Sequence, residues 1–447
     1  MANPFILYDS VFFNGTLSDT GAVSADTDYP IDNLADPRPY TLCKQASSGV
    51  SQFEADLGSG NSATVDAIGV VGHNLNTAGG KITPLFSSDA STFYPLPLLN
   101  PTAQNLVNRS EEFSYWSKIQ SSVSDNVTTD PDGGSTADKL IDSVDSGAHY
   151  IYKPVLFAED NYYTFSVYAK AADYDYVALK GATAAFNAND WAVFDLNSGS
   201  ANLCSSASST ASASISDEGS GWYRCSLTCY CLTTALSYAY VLLSDDGSLS
   251  DYFFTGDGTS GVYIWGAQVV IGSTLTDYEV TTSDWKNYYE PSDDLAFVLQ
   301  TAPATYRAFA VEIETSTSAA EIGVAGMSEM LDMQIGYGSG NLPWEEKTNL
   351  LSSNSQSGNL LGVSINSYEI SIKHTFHYPL RTWVMGDYRT FYDNWGRYKK
   401  PFFYVPDIDV FTNDFFYVSF SSPKFGHPQK VLEYMQNLII ELEGIRQ

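Results

Sequence analysis

Positive charge is what this chain has least of. Its 447 residues carry 22 Lys and Arg against 52 Asp and Glu, a formal net charge of −30. A field of that sign repels phosphate backbones and anionic headgroups, so the expectation is no nucleic-acid partner and no docking on anionic membranes. Long apolar runs are also missing. None approaches the roughly 20 residues of a membrane span, so no membrane insertion is expected, and "MANPFILYDSVFF" lacks the basic flank and apolar stretch of an export signal. Cysteine is scarce and odd in number: Cys43, Cys204, Cys225, Cys229 and Cys231. In "CSLTCYC" the spacing gives Cys225, Cys229 and Cys231 one strand parity, with no histidine nearby in sequence. Buried, reduced thiols folded in a cytosol are the expectation, in preference to zinc or disulfides.

Histidine is as sparse, with five residues. "HTFH" sends His374 and His377 to opposite faces of a strand, poor geometry for a shared metal. There is no G-x-S-x-G elbow, no H-E-x-x-H and no phosphate-binding glycine loop. With so many acidic residues, no glycosidase pair stands out. The loop "SDDGSLSD", with Asp245, Asp246 and Asp251, has the oxygens of a Ca²⁺ site but matches no calcium-loop spacing, so it reads as a solvated acidic turn. The expectation is therefore a protein that is not an enzyme, with no catalytic residues, no metal ligands and no cofactor.

What is present is aromatic. Tyr and Phe number 31 and 24, which favours strands over helices. The length exceeds one ordinary core. The reading is all-β: a multi-domain β-sandwich and jelly-roll architecture with one domain inserted into another. The segment "GDGTSGVYIWGAQVVIGSTLTDYE" contains a strand apolar on both sides. Strict alternation puts Tyr263, Trp265, Ala267, Val269 and Ile271 on one face, and Val262, Ile264, Gly266, Gln268 and Val270 on the other. Residues 341–447 hold further aromatic strand candidates, including "PFFYVPDIDVFTNDFFYVSF", read as a separate β domain with surplus apolar surface for an interface. In "VLEYMQNLIIELEG", alternation of Leu438, Ile440 and Leu442 favours a last strand over a helix.

Two resemblances organise the chain. "NLADP", the turn "DLG" and the strand "VDAIGVV" resemble discoidin-like (galactose-binding-like) sandwiches over residues 30–90. The missing half returns as "RAFAVEIE" and "AEIGVAG", the latter an echo of "AIGVVG". Residues 1–100 and 285–340 are thus read as one discontinuous sandwich, interrupted by 101–284. The interruption opens "NRSEEFSYW", continues through "YTFSVYAKA" and "GWYR", and closes "IWGAQVVIGSTLTDY". That order resembles the carbohydrate-binding-module-like jelly rolls of tailed-phage tail and fibre proteins. Val269 and Val270 depart from the acidic pair usual there, so a partner of that acid is not expected. Trp222 and Trp265 sit in motifs of this resemblance that read as core.

The resemblance implies a virion structural protein of a tailed phage, on the tail, tail tip, collar or fibre attachment, assembled in the host cytoplasm. Its partners would be other virion proteins, copies of itself in a symmetric homo-oligomer, and cell-surface glycan. The alternatives are a stand-alone carbohydrate-binding or adhesion protein, and a glycan-degrading enzyme. Sugar sites on jelly rolls stack aromatic rings on pyranose faces. The candidate ligand-binding residues are Trp191, Tyr174, Tyr176, Tyr238 and Tyr240, with a core role weighed equally for Trp191.

Overall fold

The computed structural model describes residues 3–204, 211–248, 252–282, 285–333, 344–354, 360–406, 415–425, 430–431, 434–435 and 437–445. The chain is all-β, built from antiparallel sheets with a few short helices. It divides into two compact units, one formed by Met1–Phe93 with Glu290–Gln447 and the other by Tyr94–Tyr289.

In the first unit, alternation is followed closely. The strand Val50–Asp56 buries Ser51, Phe53 and Ala55 and turns the residues between them outward. It lies between Thr16–Gly21 and Ala308–Thr315, and the latter also pairs with Gly80–Ser87. A second sheet orders Phe297–Tyr306, Ala63–His73, Glu321–Ser328 and Cys43–Lys44. "VDAIGVVG" and "RAFAVEIE" therefore belong to one unit although the intervening chain separates them. Phe86 of the first sheet packs on Tyr306 of the second, with ring centroids 4.3 Å apart. The buried Gln45 ties both sheets: its amide nitrogen donates to Ser51 Oγ and Ile313 O, and its oxygen accepts from the Ala320 N–H.

One glycine from each of "AIGVVG" and "AEIGVAG" has a packing cause, although the two are not equivalent positions of the echo. The two strands are neighbours, and Gly69 stands opposite Gly326. A Cβ at Gly69 would meet the Phe403 ring at 2.8 Å, and one at Gly326 would meet it at 3.0 Å. Phe403 thus lies against two backbones stripped of side chains.

Residues 341–447, expected as a domain of their own, share a seven-stranded sheet with Phe5–Leu7 and Met330–Asp332. Phe5–Leu7 pairs with Met330–Asp332 on one side and Phe402–Val405 on the other. The last strand is Asn437–Ile445, with Leu438, Ile440 and Leu442 buried. The strand reading omitted two short helices, Arg381–Met385 and Asp387–Asn394. They carry Trp383, Tyr388, Phe391 and Tyr392 into the same core as Phe402, Tyr404, Phe416 and Phe420. The described aromatic residues of that stretch are thus buried rather than surplus surface, Phe402, Tyr404, Phe416 and Phe420 with the helices and Phe403 against Gly69 and Gly326. Residues 407–414 of that stretch lie outside the described residues. His374 is buried and His377 exposed, on opposite faces as expected.

Asp66, in the strand Ala63–His73, accepts the Met330 N–H at 2.7 Å. Burial, reinforced by nearby Glu329, pushes its carboxyl up to about 6. An unfolded aspartate titrates near 3.9, so the folded unit holds this proton more tightly. The resulting stability is fully present below pH of about 4 and is lost as pH rises through about 6. Asp66→Asn keeps an oxygen for Met330. It is expected to remove on the order of 2 kcal/mol of the pH dependence between about pH 4 and 7, read as the difference between wild-type and variant urea unfolding. Parallel profiles for the two proteins would contradict this.

The second unit is a pair of six-stranded sheets. One orders Ser121–Thr128, Ala137–Asp142, Gly261–Ile271, Tyr162–Lys170, Trp222–Tyr230 and Ser212–Gly219; the other orders Ser200–Cys204, Trp191–Asp195, Tyr176–Gly181, Ala235–Ser244, Tyr150–Phe157 and Ser117–Ile119. Phe165, Val167, Cys225, Leu227 and Ile264 of the first share a core with Phe157, Leu179, Phe194 and Leu243 of the second. Cys225, Cys229 and Cys231 all face that core, where burial pushes the Cys231 thiol up to about 11 and those of Cys225 and Cys229 further.

The strand Gly261–Ile271 corrects the alternation reading. Val262 and Ile264 point into the core, and so do Ala267 and Val269. Trp265 packs instead with Trp222 on the other side. The parity flips at Gly266, whose φ is +60°: Tyr168 pairs with Trp265 while Ser166 pairs with Gln268, leaving one extra residue on this strand. The outer side is then closed by the exit segment. Tyr278 stands 5.0 Å from Trp265, and Gln268 donates to Thr276 Oγ1 and Asp277 O.

Candidate ligand-binding face

On the sheet containing Tyr150–Phe157, one side faces the core and the other carries a ladder of aromatic and aliphatic groups. Register sets the row. Tyr152 lies opposite Tyr240, Tyr240 opposite Lys180, Lys180 opposite Trp191, and Trp191 opposite Cys204. The next row of the same parity holds Tyr150, Leu242, Ala178 and Val193. Alternation within "YIYKP" and "SYAY" makes this face, since Ile151, Ala239 and Val241 turn into the core.

Four tyrosines form its open part. Tyr150 stands edge-on to Tyr240 at 5.3 Å, Tyr152 edge-on to Tyr238 at 4.9 Å, and Tyr152 and Tyr240 lie 5.8 Å apart. Tyr238 is 41% exposed. Burial, with the neighbouring phenols adding, pushes the Tyr240 hydroxyl up to about 12, so this group remains a neutral donor at physiological pH. Such rings offer apolar faces with hydroxyls at their rims, the mixture that a pyranose presents in mirror form.

Of the sequence candidates, Tyr176, Tyr238 and Tyr240 lie on this face. Trp191 is on it too, but is 4% exposed, and Tyr252 stands edge-on at 5.1 Å. Its ring offers no open platform. Tyr174 lies elsewhere: it packs on Phe254 beside the core and donates to Asp142 Oδ2 at 2.8 Å. Sequence reasoning missed Tyr150, Tyr152, Lys180 and Tyr252. The alternating tyrosines of "YIYKP" were the available signal for the first two, whereas Lys180 and Tyr252 meet only through the fold.

Trp222 and Trp265 are buried together, as expected of core residues. Arg224 has uncharged partners: its guanidinium donates to Gln268 Oε1 at 2.8 Å and Ser166 Oγ at 3.3 Å. The carboxyls pushed upward elsewhere in this unit are structural: Glu111, raised by burial, accepts the Tyr278 hydroxyl at 3.1 Å. Asp138, raised to about 6 by burial, accepts the Phe113 and Asn126 N–H groups. Among the described residues no group of three His, Cys, Asp or Glu could hold a metal, and Asp251 of the acidic loop lies outside them.

No protein-family model matches the chain, and no curated protein matches it. Among solved structures, a truncated AlyQ chain with CBM32 and alginate lyase domains matches at 11% identity, covering 71% of this chain and 100% of that one, with a TM-score of 0.12. A likeness of that size carries no argument about fold or function.

Proposed function

We propose that the chain is a structural protein of a tailed-phage virion, at the tail, tail tip, collar or fibre attachment, and that its Tyr94–Tyr289 unit contacts host-surface glycan. It works by binding and assembly, not catalysis. The observation that carries the glycan reading is the tyrosine ladder on the outward side of one jelly-roll sheet. Aromatic rings held by a rigid sheet cost little ordering entropy on binding, which suits a weak ligand met in many copies. The order of motifs from "NRSEEFSYW" to "GAQVVIGSTLTDY" supports the phage setting.

The test uses the full chain and host cells. Tyr240→Ala and Tyr152→Ala each remove one open ring from a partly exposed position, and each is expected to weaken adsorption about tenfold, equivalent to about 1.4 kcal/mol. Unchanged adsorption by the double variant would end the glycan reading. Mass spectrometry of purified particles tests the other half: a stand-alone adhesion protein would be absent from them.

A further inference from the structure

We infer that the glycan recognised by the tyrosine face carries an anionic substituent, a carboxylate or a sulfate, and that Lys180 receives it. This rests on the reading of that face as a glycan contact and adds its chemistry. In a chain with so few cations, several are held by a carboxylate. Lys44 meets Glu321 at 2.6 Å, Lys139 meets Asp173 at 2.5 Å, Lys286 meets Glu279 at 2.8 Å and Arg307 meets Asp56 at 2.6 Å. Lys180 has no carboxylate among the described residues. Its ammonium donates to the Tyr252 hydroxyl at 2.7 Å and lies 4.8 Å from the centre of that ring. An ammonium has three donors, so two are left for a ligand.

Placement matters as much as pairing. Lys180 sits between Tyr240 and Trp191 in the same cross-strand row. Adjacent strands lie about 4.8 Å apart, so a sugar stacked on Tyr240 reaches the ammonium with a substituent on its rim. The same-face carboxylate on the neighbouring strand is Asp195, opposite Tyr176. That is four residues along, about 13 Å at strand rise. Asp195 is moreover engaged by its own turn, accepting from the Asn197 and Ser198 N–H groups at 2.8 and 3.0 Å. A half-buried cation with no counter-ion among the described residues is costly, and the ring contact offsets only about 0.5–2 kcal/mol of it. A bound anion would supply the missing charge. The net negative field of the chain opposes this only weakly, since at physiological salt screening leaves just the charges within about 8 Å to act on the anion.

The experiment measures the full-length protein on immobilised oligosaccharides in matched pairs: galacturonate against its methyl ester, sialylated against desialylated, and sulfated against unsulfated. Wild type is expected to bind the acidic member of one pair about tenfold tighter than its neutral partner, with the advantage falling as salt rises. Lys180→Met is expected to bring that ratio within about twofold of unity, and Lys180→Arg to retain it. Binding confined to neutral members, or a ratio untouched by Lys180→Met, overturns the inference and leaves the glycan reading standing. Binding to no member overturns both.

Discussion

Gly266→Ala is expected to destabilise the Tyr94–Tyr289 unit by about 2–4 kcal/mol, the sum of a left-handed backbone cost and overpacking. The residue holds φ at +60°. A Cβ there would meet the Tyr168 ring at 2.9 Å and the Tyr278 ring at 3.2 Å, and both rings are themselves packed on Trp265. The position also hosts the extra residue that flips strand parity, so the clash cannot be relieved by straightening the strand without turning Ala267 and Val269 out of the core. Gly219→Ala separates the two costs. Gly219 has φ of +84° in the same unit, with nothing within 4 Å of its would-be Cβ, and should lose only about 1–2 kcal/mol. Equal losses for the two variants in chemical denaturation would refute the packing account.

That bulge marks a limit of reading sequence by period. Alternation of Leu438, Ile440 and Leu442 read the last strand correctly, and parity placed Cys225, Cys229 and Cys231 on one buried face. It failed across Gly261–Ile271 because one inserted residue changes which side every later residue faces, and nothing in "IWGAQVV" announces the insertion except the glycine. The helices at Arg381–Met385 and Asp387–Asn394 escaped for a different reason. Each is too short to show a 3.6-residue period, Gly386 interrupts them, and their aromatic content favours strand on propensity alone. Tertiary burial against Phe402 and Phe420 decides their form. The binding face was half legible. Tyr238 and Tyr240 share a parity, but their neighbours Tyr152 and Lys180 come from sequence-distant strands whose register no local pattern specifies. Trp191 was the natural first choice by residue type, and only the position of Tyr252 shows it to be closed.

Replacing residues 106–285 by Asn-Gly is expected to leave the remaining chain folded, with one cooperative unfolding transition, while abolishing glycan binding altogether. The strands Ala103–Asn105 and Lys286–Tyr288 pair antiparallel, with Asn105 opposite Lys286 at the end of the ladder. A two-residue Asn-Gly turn is the connection whose twist suits such a pair. Gln104 and Asn287 already lock the ladder, since Gln104 Nε2 donates to Asn287 Oδ1 at 2.8 Å and Asn287 in turn donates to Leu96 O. What is lost locally is small: the Asn105 amide gives up Ala267 O and Glu279 O, both of which leave with the deleted segment. Closing a long loop costs only about 0.6 kcal/mol more per doubling of its length, so the shorter connection should also be slightly favourable. The sandwich strands that would remain, Ala63–His73 with Phe297–Tyr306 and Val50–Asp56 with Ala308–Thr315, take none of their pairings from the removed residues. Circular dichroism and calorimetry of the shortened chain check the fold, and host-cell adsorption checks the function. A shortened chain that unfolds or aggregates would make the Tyr94–Tyr289 unit a structural part of its host. A folded one that adsorbs at full strength would place the glycan contact outside the tyrosine face.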